Sequence, residues 1–242
     1  MALKLLSIGN SFSQDAHRYI LEIAKANEIE IEINNLYIGG CSLERHYNNM
    51  ISGEEAYSLE EGKHHGIRQI SLKEAVSMKK WDVVTLQQAS GLSFKYEAYE
   101  PYLIPLANFV REHLPEAKLA IHKTWMYEPG CEKLANIGLT VDEMYEGLDS
   151  AYARASKDAN AEIFIPAGAV MYKLLKLGYK VHRDGYHASL GLGRYAIALT
   201  WLRVLFGRGV KALAVELDEV IGERALADID AVVNEALSDI GL

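Results

Sequence analysis

Two cysteines, Cys41 and Cys131, are all that 242 residues carry. They form neither a C-x-x-C pair nor a disulfide framework, and both read as reduced thiols. Basic residues are in deficit: 25 Lys and Arg stand against 33 Asp and Glu, a net charge of −8 with histidine neutral. No basic stripe is available to neutralise phosphates or anionic lipid, so neither nucleic acid nor a membrane surface is expected as a partner. No apolar run reaches the roughly 18 residues of a membrane-spanning helix. A charged n-region with a distinct h-region and cleavage site is missing, since Met1-Ala2-Leu3-Lys4 enters a strand pattern at once. The expected location is cytoplasmic, or secreted or periplasmic if a signal peptide has been removed. Gly9 opens neither a G-x-G-x-x-G nor a G-x-x-x-x-G-K-[ST] run, so a dinucleotide or nucleotide-phosphate site is unsupported. Linkers, repeats and low-complexity segments are missing too, and residues 1–242 read as a single domain. Its composition, 50% hydrophobic and 24% charged, is ordinary for a globular protein.

What the chain does have is a regular alternation of strand and helix patterns. Residues 3–8 are a short apolar run bounded by glycine, as in a strand buried on both faces. A helical pattern over 14–27 follows. Ile29, Ile31 and Ile33 alternate with polar residues, predicting a half-exposed strand near a sheet edge that runs on to Ile38. Further strands are predicted at 82–87, 118–122 and 162–165, with a small hairpin within 57–70. Ser71…Glu74 and Thr140…Glu143 have the spacing of capping boxes. Helices are expected at 97–113, from Thr140 to about Asp158, at 168–177, from Ser189 to about Phe206, and from about Asp218 to the end. This order predicts a three-layer α/β/α fold around a five-stranded parallel sheet with right-handed crossovers.

In such a sheet, ligands bind at the carboxyl ends of the strands. Gly9-Asn10-Ser11 follows the first strand, Gly39-Gly40 the second and Gln87-Gln88 the third, while Asp184 and His187 share the loop after the fifth. A serine hydroxyl needs a base to take its proton, and the base needs an anchoring carboxylate. Asp184 and His187, three residues apart on a turn, can supply both to Ser11. The Ser11 N–H at a helix start, the Gly40 N–H and a Gln87 or Gln88 amide could hold the developing oxyanion. Each piece alone also fits a plainer role: an ordinary capped turn for Gly9-Asn10-Ser11, and a polar surface loop for Asp184 and His187. Trp125, Met126 and Tyr127 follow the fourth strand. Trp125 is expected to overhang the site and stack on a sugar ring or line an acyl pocket, or else to cover the sheet end. His182, Asp184 and His187 have ligand-like spacing, but no further ligand for a metal is evident. His122 reads as a hydrogen-bonded sheet residue.

Taken together, the blocks resemble those of the SGNH (GDSL-type) hydrolases. Ile8-Gly9-Asn10-Ser11-Phe12-Ser13 is similar to that family's first block, with Ser11 as nucleophile. Gly40 resembles the second-block glycine of the oxyanion hole. Asp184-Gly185-Tyr186-His187-Ala188-Ser189 resembles the D-x-x-H block that supplies acid and base. The first block has Asn10 where aspartate is usual. The third block departs further, with Gln87-Gln88-Ala89-Ser90 in place of Gly-x-Asn-Asp. The resemblance implies that a side chain here donates to the oxyanion; Gln88 is the expected one, with Gln87 and Ser90 as alternatives. The strand Trp81-Asp82-Val83-Val84-Thr85-Leu86-Gln87-Gln88 and the other blocks resemble a bacterial subgroup with carbohydrate esterases among its relatives.

The expected activity is therefore that of a serine esterase using Ser11, His187 and Asp184, acting on a small-molecule or glycan ester such as an acetylated carbohydrate. No metal or organic cofactor is called for. A lipase or thioesterase of the same fold is the nearest rival. A glycan-binding pseudoenzyme is a second, and a flavodoxin-like cofactor binder a remote third.

Overall fold

The computed structural model describes residues 2–242. Its centre is β1 (Leu3–Gly9), in which Leu5, Leu6 and Ile8 are fully buried. α1 (Ser11–His17) and α2 (Ile20–Ala26) follow, and then β2 (Ile31–Tyr37). The helix pattern predicted over 14–27 is thus two short helices, broken at Arg18 and Tyr19. At the break the Tyr19 hydroxyl donates to Leu190 O (2.6 Å) and accepts from Asp218 N–H (2.8 Å), two partners far along the chain.

α3 (Leu43–Ser52) leads to a hairpin of β3 (Tyr57–Glu61) and β4 (Gln69–Ile70), then α4 (Leu72–Ser77) and β5 (Val83–Leu86). A 3₁₀ turn at Tyr96–Tyr99 precedes α5 (Leu103–His113), so that helix starts later than its predicted 97. β6 (Lys118–His122), α6 (Glu132–Ile137), α7 (Val141–Asp158), β7 (Ile163–Ile165) and α8 (Ala167–Lys176) come next. α9 (Leu192–Phe206) and α10 (Glu223–Asp239) close the chain, the latter starting beyond the expected Asp218.

The sheet runs β4-β3-β2-β1-β5-β6-β7. Its five strands β2, β1, β5, β6 and β7 are parallel, as the alternation of elements predicts. The sheet nevertheless has seven strands rather than five. The hairpin expected within 57–70 lies antiparallel against β2, pairing Asn34 to Tyr37 with Glu61 to Ser58. The alternating strand expected near an edge is therefore covered along its second half. One helical layer contains α1, α2, α8, α9 and α10, the other α3, α4, α5 and α7. α9 lies at the middle of its layer, against the sheet and flanked by α1, α2, α8 and α10, and is buried on nearly every side. Thr140 and Glu143 form the full reciprocal capping box at α7. At α4 only half of one forms: Ser71 accepts from Glu74 N–H, while the Glu74 carboxylate turns to Arg68 (2.6 Å). No helix among the described residues is long and apolar enough to cross a membrane.

Candidate active site

β1 stops because Gly9 and Asn10 turn the chain sharply. A Cβ on Gly9 would lie 2.1 Å from Ser13 Oγ, so only glycine lets the first turn of α1 fold back this closely. Asn10 caps α1, its side-chain oxygen accepting from Phe12 N–H at 3.0 Å. Ser11 is thereby the first helical residue, partly exposed at the carboxyl end of the sheet.

The structure brings Ser11, His187 and Asp184 together across most of the chain. Ser11 Oγ is 2.8 Å from His187 Nε2, and His187 Nδ1 is 2.8 Å from Asp184 Oδ2. The ionised carboxylate can only accept, so Nδ1 carries the ring proton and Nε2 is left to accept from the Ser11 hydroxyl. Asp184 Oδ1 also accepts the backbone N–H of His187 (2.9 Å) and of Tyr186 (3.4 Å). Burial pushes the Asp184 carboxyl up, but the hydrogen bonds from His187 outweigh it and hold the group below the ordinary carboxylate range.

The loop that carries the pair is pinned at both ends. Ser189 N–H donates to Val181 O (2.7 Å) and Arg183 N–H to His187 O (3.1 Å). Trp125 Nε1 donates to Tyr186 O (2.8 Å) and Glu128 N–H to Gly185 O (2.7 Å). The strongest anchor is Asp15, one turn along α1 from Ser11 and 1% exposed. Its carboxylate accepts from Arg183 Nη1 (2.9 and 3.1 Å), Arg194 Nε (2.8 Å) and Ala188 N–H (3.0 Å). Helix and loop therefore share one buried ionic knot. No sequence motif marks Asp15, and its role shows only in the structure, through its burial within α1.

The other expected residues fall into two groups. Gly40, at φ +62°, lines the same pocket as Ser11, and no acceptor among the described residues takes its N–H. Gln88 does not reach the pocket. It is fully buried, with Oε1 accepting from Leu43 N–H (3.0 Å) and Ala89 N–H (2.8 Å) and Nε2 donating to Ala98 O (2.8 Å). Its amide serves to anchor the β5 loop to the start of α3, which removes it from the oxyanion role expected of it. Gln87 is equally committed: Nε2 donates to Asn10 Oδ1 (2.8 Å), and Oε1 faces His122 Nδ1 (2.7 Å). Asn10 Nδ2 in turn donates to Cys41 O (3.0 Å). A ladder of amides thus runs from His122 to the turn that carries Gly40. It explains the two departures in the blocks together, because Asn10 must donate and accept at once, which an aspartate could not do. Ser90, the remaining alternative, does line the pocket, with Oγ 3.2 Å from Tyr127 Oη.

Trp125 takes the second of its two expected places, covering the sheet end, and is not a substrate contact. It is 0% exposed and packs on Phe12 at 4.2 Å between ring centres, supporting the floor beneath Ser11 instead of facing a ligand. Besides the His187 ring, the aromatic side chains that line the pocket are Phe12, Tyr37 and Tyr186, none of which the sequence patterns marked as a ligand contact. His182 Nε2 is bound to Met126 O (2.9 Å) and does not converge with Asp184 and His187. Among the described residues no group of three or more His, Cys, Asp or Glu is arranged to hold a metal ion.

The pocket above Ser11 and His187 has a volume of about 340 Å³, with walls that include Tyr37, Gly39, Gly40, Ser90, Lys133 and Tyr186. A larger polar cleft of about 570 Å³ lies along α1 between Arg18 and His65, and neither Ser11 nor His187 lines it.

The mostly parallel sheet between two helical layers is a fold shared with solved SGNH hydrolases. A protein from Slackia heliotrinireducens assigned to the SGNH hydrolases is 22% identical, with a TM-score of 0.62 over 85% of this chain and 100% of that one. An acetylxylan esterase from Geobacillus stearothermophilus is 19% identical, with a TM-score of 0.55 over 84% and 94%. The chain itself belongs to the family described as a domain of unknown function (DUF4886), whose pattern matches residues 4–232. A crystal structure of a member of this family from Bacteroides uniformis is 33% identical, with a TM-score of 0.90 over 98% of this chain and 95% of that one. No match is found among curated proteins.

Proposed function

We propose that this chain is a serine esterase that removes a short acyl group, such as acetyl, from a carbohydrate. The observation that carries the reading is the run of 2.8 Å contacts from Ser11 Oγ through the His187 ring to Asp184, opening into a pocket. His187 Nε2 takes the Ser11 proton as Oγ attacks the ester carbonyl. The negative charge that develops on the carbonyl oxygen is held by the N–H groups of Ser11 and Gly40, with the Ser90 hydroxyl as third donor in place of a block-three amide. The tetrahedral intermediate collapses as His187 gives its proton to the departing alcohol, leaving an acyl group on Ser11. Water, deprotonated by His187, then releases the acid and restores the hydroxyl. Asp184 fixes the ring's tautomer and stabilises the imidazolium at each step.

The substrate class rests on two supports. The pocket is small, about 340 Å³, with glycine, serine, asparagine, Phe12 and two tyrosines in its walls, a size that suits a short acyl group better than a lipid chain. Solved structures of the same fold include an acetyl-xylooligosaccharide esterase, which is where a sugar acetate enters the reading. Hydrolysis of 4-nitrophenyl acetate by wild type, Ser11→Ala and His187→Ala tests it. Each variant is expected to lose at least about a thousand-fold in kcat. Variants that keep the wild-type rate would end the triad assignment, and sugar binding without turnover in the wild type would favour a glycan-binding role.

A further inference from the structure

One charged side chain stands on the wall of the Ser11 pocket among its described lining residues, and it is positive. Lys133, near the start of α6, places its ammonium 3.9 Å from the centre of the Tyr186 ring and 5.9 Å from that of Tyr127. Tyr186 in turn lies 4.1 Å, ring centre to ring centre, from His187. The Tyr186 ring thus touches both the ammonium and the His187 ring. No carboxylate comes within ion-pair distance of it among the described residues. The manner of holding matters. An ion pair would fix the ammonium but cancel its charge; two aromatic faces fix it and leave the charge uncancelled. The other pocket walls supply hydroxyls, backbone and rings, all neutral. In a chain whose net charge is −8, Lys133 is the one cation among the described lining residues that an anion entering this pocket would meet.

We propose that Lys133 selects esters that carry a carboxylate close to the scissile bond, either on the alcohol, as in an acylated acidic sugar, or at the far end of a short acyl group. This rests on the esterase reading above and adds the substrate's charge to it. An ammonium on a pocket rim attracts such a group by Coulomb interaction that water only partly screens, and the expected selectivity is about two- to five-fold.

The experiment compares wild type and Lys133→Gln on three esters: neutral 4-nitrophenyl acetate, mono(4-nitrophenyl) succinate with the carboxylate on the acyl side, and 4-acetoxybenzoate with it on the alcohol side. The substitution is expected to lower kcat/KM for one anionic ester about two- to five-fold more than for the neutral one, chiefly through KM. Which anionic ester responds identifies the side that Lys133 reads. Lys133→Arg should restore the difference, and high salt should narrow it. An equal drop on all three esters, or no drop on any, overturns the proposal. If the neutral ester is not turned over in a Ser11-dependent way, the esterase reading fails by itself. Binding then decides the charge proposal: 4-acetamidobenzoate should bind Ser11→Ala more tightly than 4-acetamidobenzamide, and lose that advantage in the double variant with Lys133→Gln. Equal affinity for the two would overturn it.

Discussion

Replacing Asp15 by asparagine should cost the protein both stability and catalysis, and the structure shows why no reorientation can rescue it. Each carboxylate oxygen is surrounded by donors. Oδ1 accepts from Arg183 (2.9 Å) and Arg194 (2.8 Å), while Oδ2 accepts from Ala188 N–H (3.0 Å) and Arg183 (3.1 Å). An asparagine has one NH₂ group, and either orientation turns it against a donor. The charge that balanced two guanidinium groups is lost as well, at a site 1% exposed. Breaking one side of such a buried pair costs about 3–5 kcal/mol. The low end applies, because Arg183 keeps Ala188 O (2.5 Å) and Arg194 keeps Asp218 (3.2 Å). In a chain of this size about 3 kcal/mol corresponds to a fall in Tm of roughly 6–12 °C. The catalytic cost is separate. Asp15 ties the helix bearing Ser11 to the loop bearing His187, and a displacement of about 1 Å between them can cost about a hundred-fold in rate. Calorimetry gives the first quantity, and 4-nitrophenyl acetate turnover well below the variant's Tm gives the second. A variant that melts with the wild type would refute the ionic-knot argument. One that melts early but turns over normally when folded would refute the positioning role.

Two further outcomes can be measured. Burial pushes His17, His46 and His122 down to about 3, so they stay neutral in the folded chain while the unfolded chain takes up protons below about 6.5. Their contribution is intact above that value and is lost as the pH falls toward 3, amounting to about 6 kcal/mol for the three between about pH 7 and about pH 5; urea unfolding that gives the same stability at both would contradict it. Asn10→Asp sets a carboxylate oxygen against Cys41 O where Nδ2 now donates at 3.0 Å, and should destabilise by about 1–3 kcal/mol and lower kcat as the Gly40 turn comes loose; thermal unfolding and turnover that both match wild type would show the contact to be dispensable.

The parallel core was legible because strands buried on both faces are continuously apolar, and β1 and β5 could be read from that alone. Ser11, Asp184 and His187 were legible because their neighbours encode the local geometry: a glycine and a capping asparagine for the serine, a three-residue step for the pair. The direction in which Gln88 and Trp125 point was not. Both stand just past a strand end, where one residue's rotation decides between pocket and core, and the deciding partners, Leu43, Ala98 and Tyr186, are distant in sequence. Asp15 was hidden for the same reason, since its partners lie 168 to 179 residues away. The hairpin's place beside β2 depended on pairing that its own short strands do not specify.

That hairpin has a consequence for how copies of the protein meet. Left bare, the second half of β2 would offer a row of unpaired backbone groups to any passing strand. With the hairpin in place one side of the sheet ends on the two residues of β4 and the short first half of β2, and the other on the three residues of β7. Rims so short are poor templates for another chain's backbone, which guards a concentrated solution against strand-by-strand growth into fibres and leaves self-association to the helical faces.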